Sequence, residues 1–267
     1  MGKIIDKAFV LRRVRYGEQA CLLELYTKHY GRLTAGSRLG KKSGKSALNN
    51  PFTFAEFDLR KRADRYYVDG GTIIEAFSGL QEDVERLTAA SLLAELVLDN
   101  VREGLSDQGI YELLAYSFYA LSRSSNPRLD ASIAALRLLS ELGFKPWLED
   151  CVVCHQPLED RLDFSFARGG LLCLDSNCRG LSYGSSYFSL NQSLRLICQE
   201  ICAAPLQRIF NLQITAKDSK ILGEFVDRYL QELFGKSYRK DSLLSEFERF
   251  TEAAHEALAG RAKKELE

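Results

Sequence analysis

Long apolar runs are missing from this chain. None approaches the roughly 18 residues that a bilayer-spanning helix needs, so no membrane segment is expected. The first residues, MGKIIDKAFVLRR, lack the charged, apolar and small-residue regions of a secretory signal, and a cytoplasmic location is expected. Histidine is scarce: His29, His155 and His255 are the three present. No G-x-S-x-G elbow, dinucleotide-binding glycine fingerprint or H-E-x-x-H helix occurs, and the carboxylates are scattered. Nothing in the motifs argues for catalysis. One near match fails: Gly40-Lys-Lys-Ser-Gly44-Lys45-Ser46 has three residues between its glycines where a P-loop has four. Asn49-Asn50-Pro51 follows at once, so no helix is expected to start there.

Net charge is also lacking, because two opposite halves cancel. Residues 1–75 carry 15 Lys+Arg against 8 Asp+Glu, and the remainder carries 21 against 28. A basic end joined to an acidic body points to a polyanion as partner of the first part. The composition is otherwise that of a globular protein, 46% hydrophobic and 27% charged, and the length suits about two domains.

The pattern of the chain changes twice. Residues 1–80 read as β: runs at 8–16, 20–27, 31–37, 51–60 and 65–77 are rich in branched and aromatic residues and separated by glycine and asparagine turns. Cys21, Leu23 and Leu25 share one strand face, as do Thr53, Ala55, Phe57 and Leu59. Five strands in so short a span would leave open edges, and closing into a barrel of OB-fold size removes them. Helical spacing then begins, through Leu87, Ala90, Ala94, Val97 and Val101 and through Ile110, Leu113, Leu114 and Leu121. A third helix starts at Pro127 behind Ser125 or Asn126 and stops at Gly143. Periodicity lapses over 147–188 and resumes afterwards, with a last, weaker stripe at Leu243, Phe247, Phe250 and Ala254. The expected architecture is α+β. An N-terminal five-stranded OB-fold barrel (1–80) precedes a helical bundle in two parts (81–146 and 189–240), with an inserted zinc-ribbon-like module (147–188) and a charged helical tail (241–267).

Within the insertion stands Cys151-x2-Cys154-x18-Cys173-x4-Cys178. Two cysteines on one tight turn point their sulfurs at one place, and two such turns make the tetrahedron of soft ligands that Zn²⁺ takes. The x4 gap of the second pair is wider than the usual x2 but still permits a turn. Four protein ligands leave no position for an activated water, so this zinc would be structural. His155, adjacent to Cys154, fits a satisfied surface histidine better than a ligand. Cys198 and Cys202, four apart on an apolar stripe, and Cys21, among leucines, read as core.

Lys28 to Lys45 holds six basic residues and no acidic one, over a stretch rich in glycine and serine. A flexible cationic segment can track a phosphodiester chain. The residues singled out for nucleic-acid contact are Arg12, Arg32, Arg38, Lys41, Lys42, Lys45, Arg60 and Arg62. Arg13, Arg15, Lys61 and Arg65 add charge at the same end. Tyr16, Tyr26, Tyr30, Phe52 and Phe54 are candidates to stack on bases, though many of them must fill the barrel.

Several segments resemble recombination proteins of the RecO family. In the first domain these are Val10-Leu11-Arg12, Tyr16-Gly17-Glu18, Leu25, Thr27, Gly31-Arg32-Leu33, Gly36, Lys41-Lys42-Ser43 and Pro51-Phe52. Further on they are Leu138-Leu139-x-x-Leu142-Gly143-x-x-Pro146, the following Cys-x2-Cys, and Gly169-Gly170-x-x-Cys173. The resemblance implies an OB-fold, a helical domain and a zinc-binding insertion. It also implies binding to single- and double-stranded DNA and annealing of complementary strands without ATP, in the cytoplasm at the nucleoid. The implied partners are RecR, with which RecA is loaded, and the acidic C-terminal tail of single-stranded-DNA-binding protein. The rival readings are a zinc-ribbon protein–protein adaptor that does not touch DNA, and a Mg²⁺-dependent nuclease.

Overall fold

The computed structural model describes residues 2–16, 20–38, 45–158, 162–180 and 187–238. Five strands form a closed barrel: β1 (Gly2–Arg15), β2 (Ala20–Thr27), β3 (Gly31–Arg38), β4 (Phe54–Arg62) and β5 (Arg65–Glu75), in the order β1-β2-β3-β5-β4. β4 returns to pair with β1, and the one parallel contact, β3 with β5, closes the ring at Ala35–Tyr66 and Gly36–Tyr67. Every second residue points inward. Val10, Leu23, Leu25, Leu33, Phe57, Leu59 and Val68 pack together with Ala8, Cys21, Ala35 and Ala55.

β1 breaks the alternation for a physical reason. Ala8, Phe9, Val10 and Leu11 are all buried, because the barrel interior covers one face and the helices cover the other. A bulge between Val10 and Arg12 shifts the register against β2.

Two expectations about the β3–β4 connection need correction. A one-turn helix, α1 (Lys45–Leu48), stands where none was expected, and its Leu48 side chain plugs the barrel core. β4 starts at Phe54 rather than near Pro51, since Asn50–Thr53 make a turn with Phe52 in the left-handed region, φ 66°.

The helical part comprises α2 (Val84–Asn100), α3 (Gln108–Arg123), α4 (Pro127–Glu141), α6 (Gln192–Ala203), α7 (Leu206–Ile209) and α8 (Ala216–Phe234), with α5 (Ser176–Gly180) in the cysteine module between them. Asp83, Asp107, Asn126, Asn191 and Thr215 cap the starts of the five long helices with side-chain oxygens. α4 is buried almost all round, from Ala131 to Leu139, as befits the central helix of a bundle. It ends at Gly143, φ 87°, whose N–H donates to the Ser140 carbonyl. One apolar core runs from the outer faces of β1 and β2 through these helices other than α5, whose Cys178 belongs to a separate small cluster. Phe118 of α3 stacks edge-on with Phe9, Phe52 and Phe77 at the joint.

Three short strands, β6 (Leu162–Ser165), β7 (Gly170–Leu172) and β8 (Tyr187–Leu190), form a sheet in the order β7-β6-β8. The last weak stripe, from Leu243, and the tail after 240 lie outside the described residues.

Candidate metal centre and nucleic-acid interface

Cys151 and Cys154 belong to a turn in which the His155 N–H reaches back to the Cys151 carbonyl at 2.9 Å. His155 takes the left-handed conformation that closes such a turn, φ 56°. Gly170 lets this turn approach β7: a Cβ there would stand 2.8 Å from Val152 Cβ and 2.9 Å from Trp147 Cβ. Cys173 follows β7, and Cys178 sits in α5. The wider spacing of the second pair is therefore one helical turn, opened by Asp175, whose carboxylate accepts from the Asn177 N–H at 2.7 Å.

The four sulfurs lie within 4.8 Å of one another, and those of Cys154 and Cys173 are 3.8 Å apart. Four sulfurs held about 2.3 Å from a central ion at tetrahedral angles stand about 3.8 Å apart, so this donor set fits a thiophilic metal ion. Its electrostatics agree. Burial resists ionisation of Cys151, but the backbone N–H groups of Cys154, Cys173 and Val153 bring its pKa down to about 6. Burial and the neighbouring thiols push Cys178 well up, and burial raises Cys173. One thiolate forms readily, and further negative charge in the cluster needs a cation. His155 is turned away, its Nδ1 3.2 Å from Asp150 Oδ1, which also accepts from Trp147 Nε1 at 2.7 Å. Cys198, Cys202 and Cys21 are buried core residues. Among the described residues the four cysteines are the group that converges closely enough to share an ion; no cluster of carboxylates does so.

The basic residues divide into two sets. Arg12 hydrogen-bonds Glu24 through Nε, and that bond, with Asp99 and Glu95 adding against burial, raises its pKa. Arg32 reaches across to α2: its Nη1 donates to the Leu98 carbonyl in the last turn, and its Nη2 is 3.7 Å from Glu103. The Arg32 guanidinium is largely covered and caps a helix end, so Arg32 serves the joint between barrel and helices, whereas Arg12 is half-exposed and pairs within the barrel with Glu24 of β2. Both guanidiniums are engaged by acceptors of the protein itself. Arg38, Arg62 and Arg65 are exposed, and none has an acidic partner among the described residues. Arg60 is half-exposed and 2.9 Å from Asp69. Lys41 and Lys42 lie outside the described residues, and of Lys45 only the backbone, in α1, is described. The aromatics divide too: Tyr26 and Phe52 are buried, and Phe54 stacks on Phe9 at 4.5 Å. Tyr16 and Tyr30 are exposed.

Two models of known families match the sequence in order along the chain: recombination protein O N terminal over residues 1–77, and recombination protein O C terminal over 81–242. The chain belongs to the recombination protein O family. Among its relatives, DNA repair protein RecO of Acetivibrio thermocellus is 26% identical over 253 residues, 93% of this chain and 99% of the relative. DNA repair protein RecO of Alkaliphilus metalliredigens is 30% identical over 232 residues, 85% of this chain and 92% of its own. Membership of the RecO family makes this an OB-fold DNA-repair protein acting in recombination, a mediator rather than an enzyme, with DNA and recombination-pathway proteins as its partners in general. No helix among the described residues is long and apolar enough to cross a membrane.

Two more residues of the barrel belong beside this set of basic residues: Arg65, which is exposed, and Tyr67, which is half-buried. On the outer face of the β4–β5 hairpin, Arg60 pairs with Tyr67 and Arg62 with Arg65. Alternation carried across the turn at Ala63-Asp64 puts Tyr67 on the same face as Arg65, which the charge pattern had already named.

Proposed function

We propose that this RecO-family chain binds single- and double-stranded DNA on the outer face of its barrel, anneals complementary strands without ATP, and assists RecA loading together with RecR. The observation that carries the reading is the set Arg38, Arg62 and Arg65, exposed on one side of the barrel without acidic partners among the described residues. The segment bearing Lys41 and Lys42 follows Arg38 directly in sequence and would add to this charge. Cations that neutralise phosphates release counterions and lower the repulsion between two strands, which lets exposed bases find their complements. The acidic C-terminal tail of single-stranded-DNA-binding protein is the partner that would bring the chain to coated strands, in the cytoplasm at the nucleoid. Zn²⁺ on Cys151, Cys154, Cys173 and Cys178 would hold the insertion together and take no part in strand pairing.

The test is annealing of complementary oligonucleotides, with and without cognate single-stranded-DNA-binding protein, by wild type and by the combined Arg38→Ala, Arg62→Ala, Arg65→Ala variant. Loss of three phosphate contacts should flatten the plot of log affinity against log salt by about 2 on single strands. Unchanged binding and annealing at low salt would overturn this assignment of the face.

A further inference from the structure

Tyr67 stands on the outer side of β5, between Gly36 of β3 and Arg60 of β4. A Cβ built on Gly36 would be 3.3 Å from Tyr67 Cδ1 and 3.6 Å from Cε1, so the ring lies over the glycine, where any other residue would project against it. Glycine inside a strand weakens it and marks a place where another group comes close. Here it gives the tyrosine a flat ledge. Its neighbour Tyr66 faces the other way, packs on the barrel core and carries the Lys61 ammonium 5.3 Å above its ring. Tyr67 differs: among the described residues no aromatic ring stacks on it and no cation sits over it. Arg62 and Arg65 form the next outward pair along the hairpin, about 7 Å on, and Arg38 is two residues past Gly36 on the same outward side of β3.

We propose that Tyr67, laid on Gly36 and ringed by Arg38, Arg60, Arg62 and Arg65, is a stacking platform for one unpaired base of single-stranded DNA. This rests on the reading of the barrel face given above and adds strand selectivity to it. Arg38, Arg62 and Arg65 hold phosphates of either DNA form, while Arg60 is paired with Asp69. A base within a duplex is already stacked on both sides and offers no free face, whereas an unpaired base does, and an aromatic ring accepts any of the four. Tyr67 therefore acts as a specificity-determining residue that favours unpaired strands, the substrate of annealing.

The experiment compares binding of the full chain to an oligothymidylate and to an oligomer of abasic sites of equal length and charge. Wild type should prefer the thymidylate by about 5- to 150-fold, the range set by one stacked base. Tyr67→Ala should bind the two alike, with its salt dependence unchanged, and Tyr67→Phe should keep the preference. Tyr67→Leu preserves the bulk over Gly36 without a π face, so it reports on stacking even if the alanine variant folds poorly, and it too should lose the preference. Gly36→Ala should reduce it by lifting the ring. A preference that survives in both Tyr67→Leu and Tyr67→Ala would overturn the platform while leaving the phosphate face standing. If removing Arg38, Arg62 and Arg65 weakens binding to neither oligomer, the face itself is wrong and the platform falls with it.

Discussion

The guanidinium of Arg179 donates to the carboxylate of Asp163 at 2.7 Å. Asp163 is buried on β6, and Arg179 follows Cys178 on α5, so this pair ties one half of the sulfur cluster to the sheet beneath it. The same arginine donates through Nε to the Cys173 carbonyl at 3.1 Å, and Ser189 Oγ donates to the other oxygen of Asp163 at 2.8 Å. Removing the buried Asp163 carboxylate takes a charged hydrogen bond from the partly exposed Arg179, at a cost of about 1.5–3 kcal/mol. Asp163→Ala should therefore loosen α5 and weaken metal retention although all four cysteines remain. Zinc content after challenge with a chelator, compared between wild type and variant, checks this.

Metal binding should depend steeply on pH. The bound form holds the cysteines as thiolates, so it carries fewer protons than the free form, and acid favours release. At pH 7 Cys151, with a pKa of about 6, is already largely ionised, whereas Cys173 and Cys178 are raised and must each give up a proton to the solvent. The protons from Cys173 and Cys178 alone correspond to at least about a hundredfold loss of affinity for each unit of acidification. Below pH 6 Cys151 protonates as well and the slope steepens. Calorimetry of zinc binding in buffers of different ionisation enthalpy counts these protons directly.

The barrel interior and the sulfur cluster were legible in the sequence for the same reason: both depend on spacing alone. Period-two alternation at Cys21, Leu23 and Leu25 fixes which side chains point inward, whatever lies outside. Two pairs of cysteines on tight turns converge on one point once the hairpin between them forms. The outer surface was harder to read. Alternation puts Tyr26, Arg32 and Arg38 outside the barrel alike, but it does not say where a second domain covers that outside. Helices α2 and α3 cover the stretch around Tyr26 and Arg32, turning one into core and the other into a helix cap, while Arg38 lies beyond their reach. The charge count of the first 75 residues thus overstated the surface free to meet a polyanion.

The joint between barrel and helices should make them unfold together. Phe118 is fully buried in α3, with ring centroids 5.8 Å from Phe9 and 5.4 Å from Phe52, residues that belong to the barrel segment. Phe118→Ala should cost about 3–5 kcal/mol through lost burial and the cavity left behind. Because the cavity opens on both parts, a single transition should shift to lower denaturant concentration. A barrel that stayed folded after the helices had melted, seen as retained β signal in circular dichroism, would count against one cooperative unit.

Arg32 distinguishes a structural cation from a DNA-binding one. Its guanidinium meets the Leu98 carbonyl, one of the last four of α2, which have no partner within the helix. A cation there also complements the negative end of the helix dipole. Arg32→Ala should lower stability by about 1.5–3 kcal/mol, the range for a hydrogen bond to a charged group, measured by urea denaturation. Lysine keeps the charge but lacks the rigid fork, so Arg32→Lys should recover only part of that loss. DNA affinity and its salt dependence, measured well below the melting temperature, should stay as in wild type for both variants, because this charge already faces the protein. Were the salt dependence of Arg32→Ala to fall by the increment of one phosphate contact, the guanidinium would have to leave Leu98 when DNA binds, and the division of the basic residues into joint and face would fail at this position.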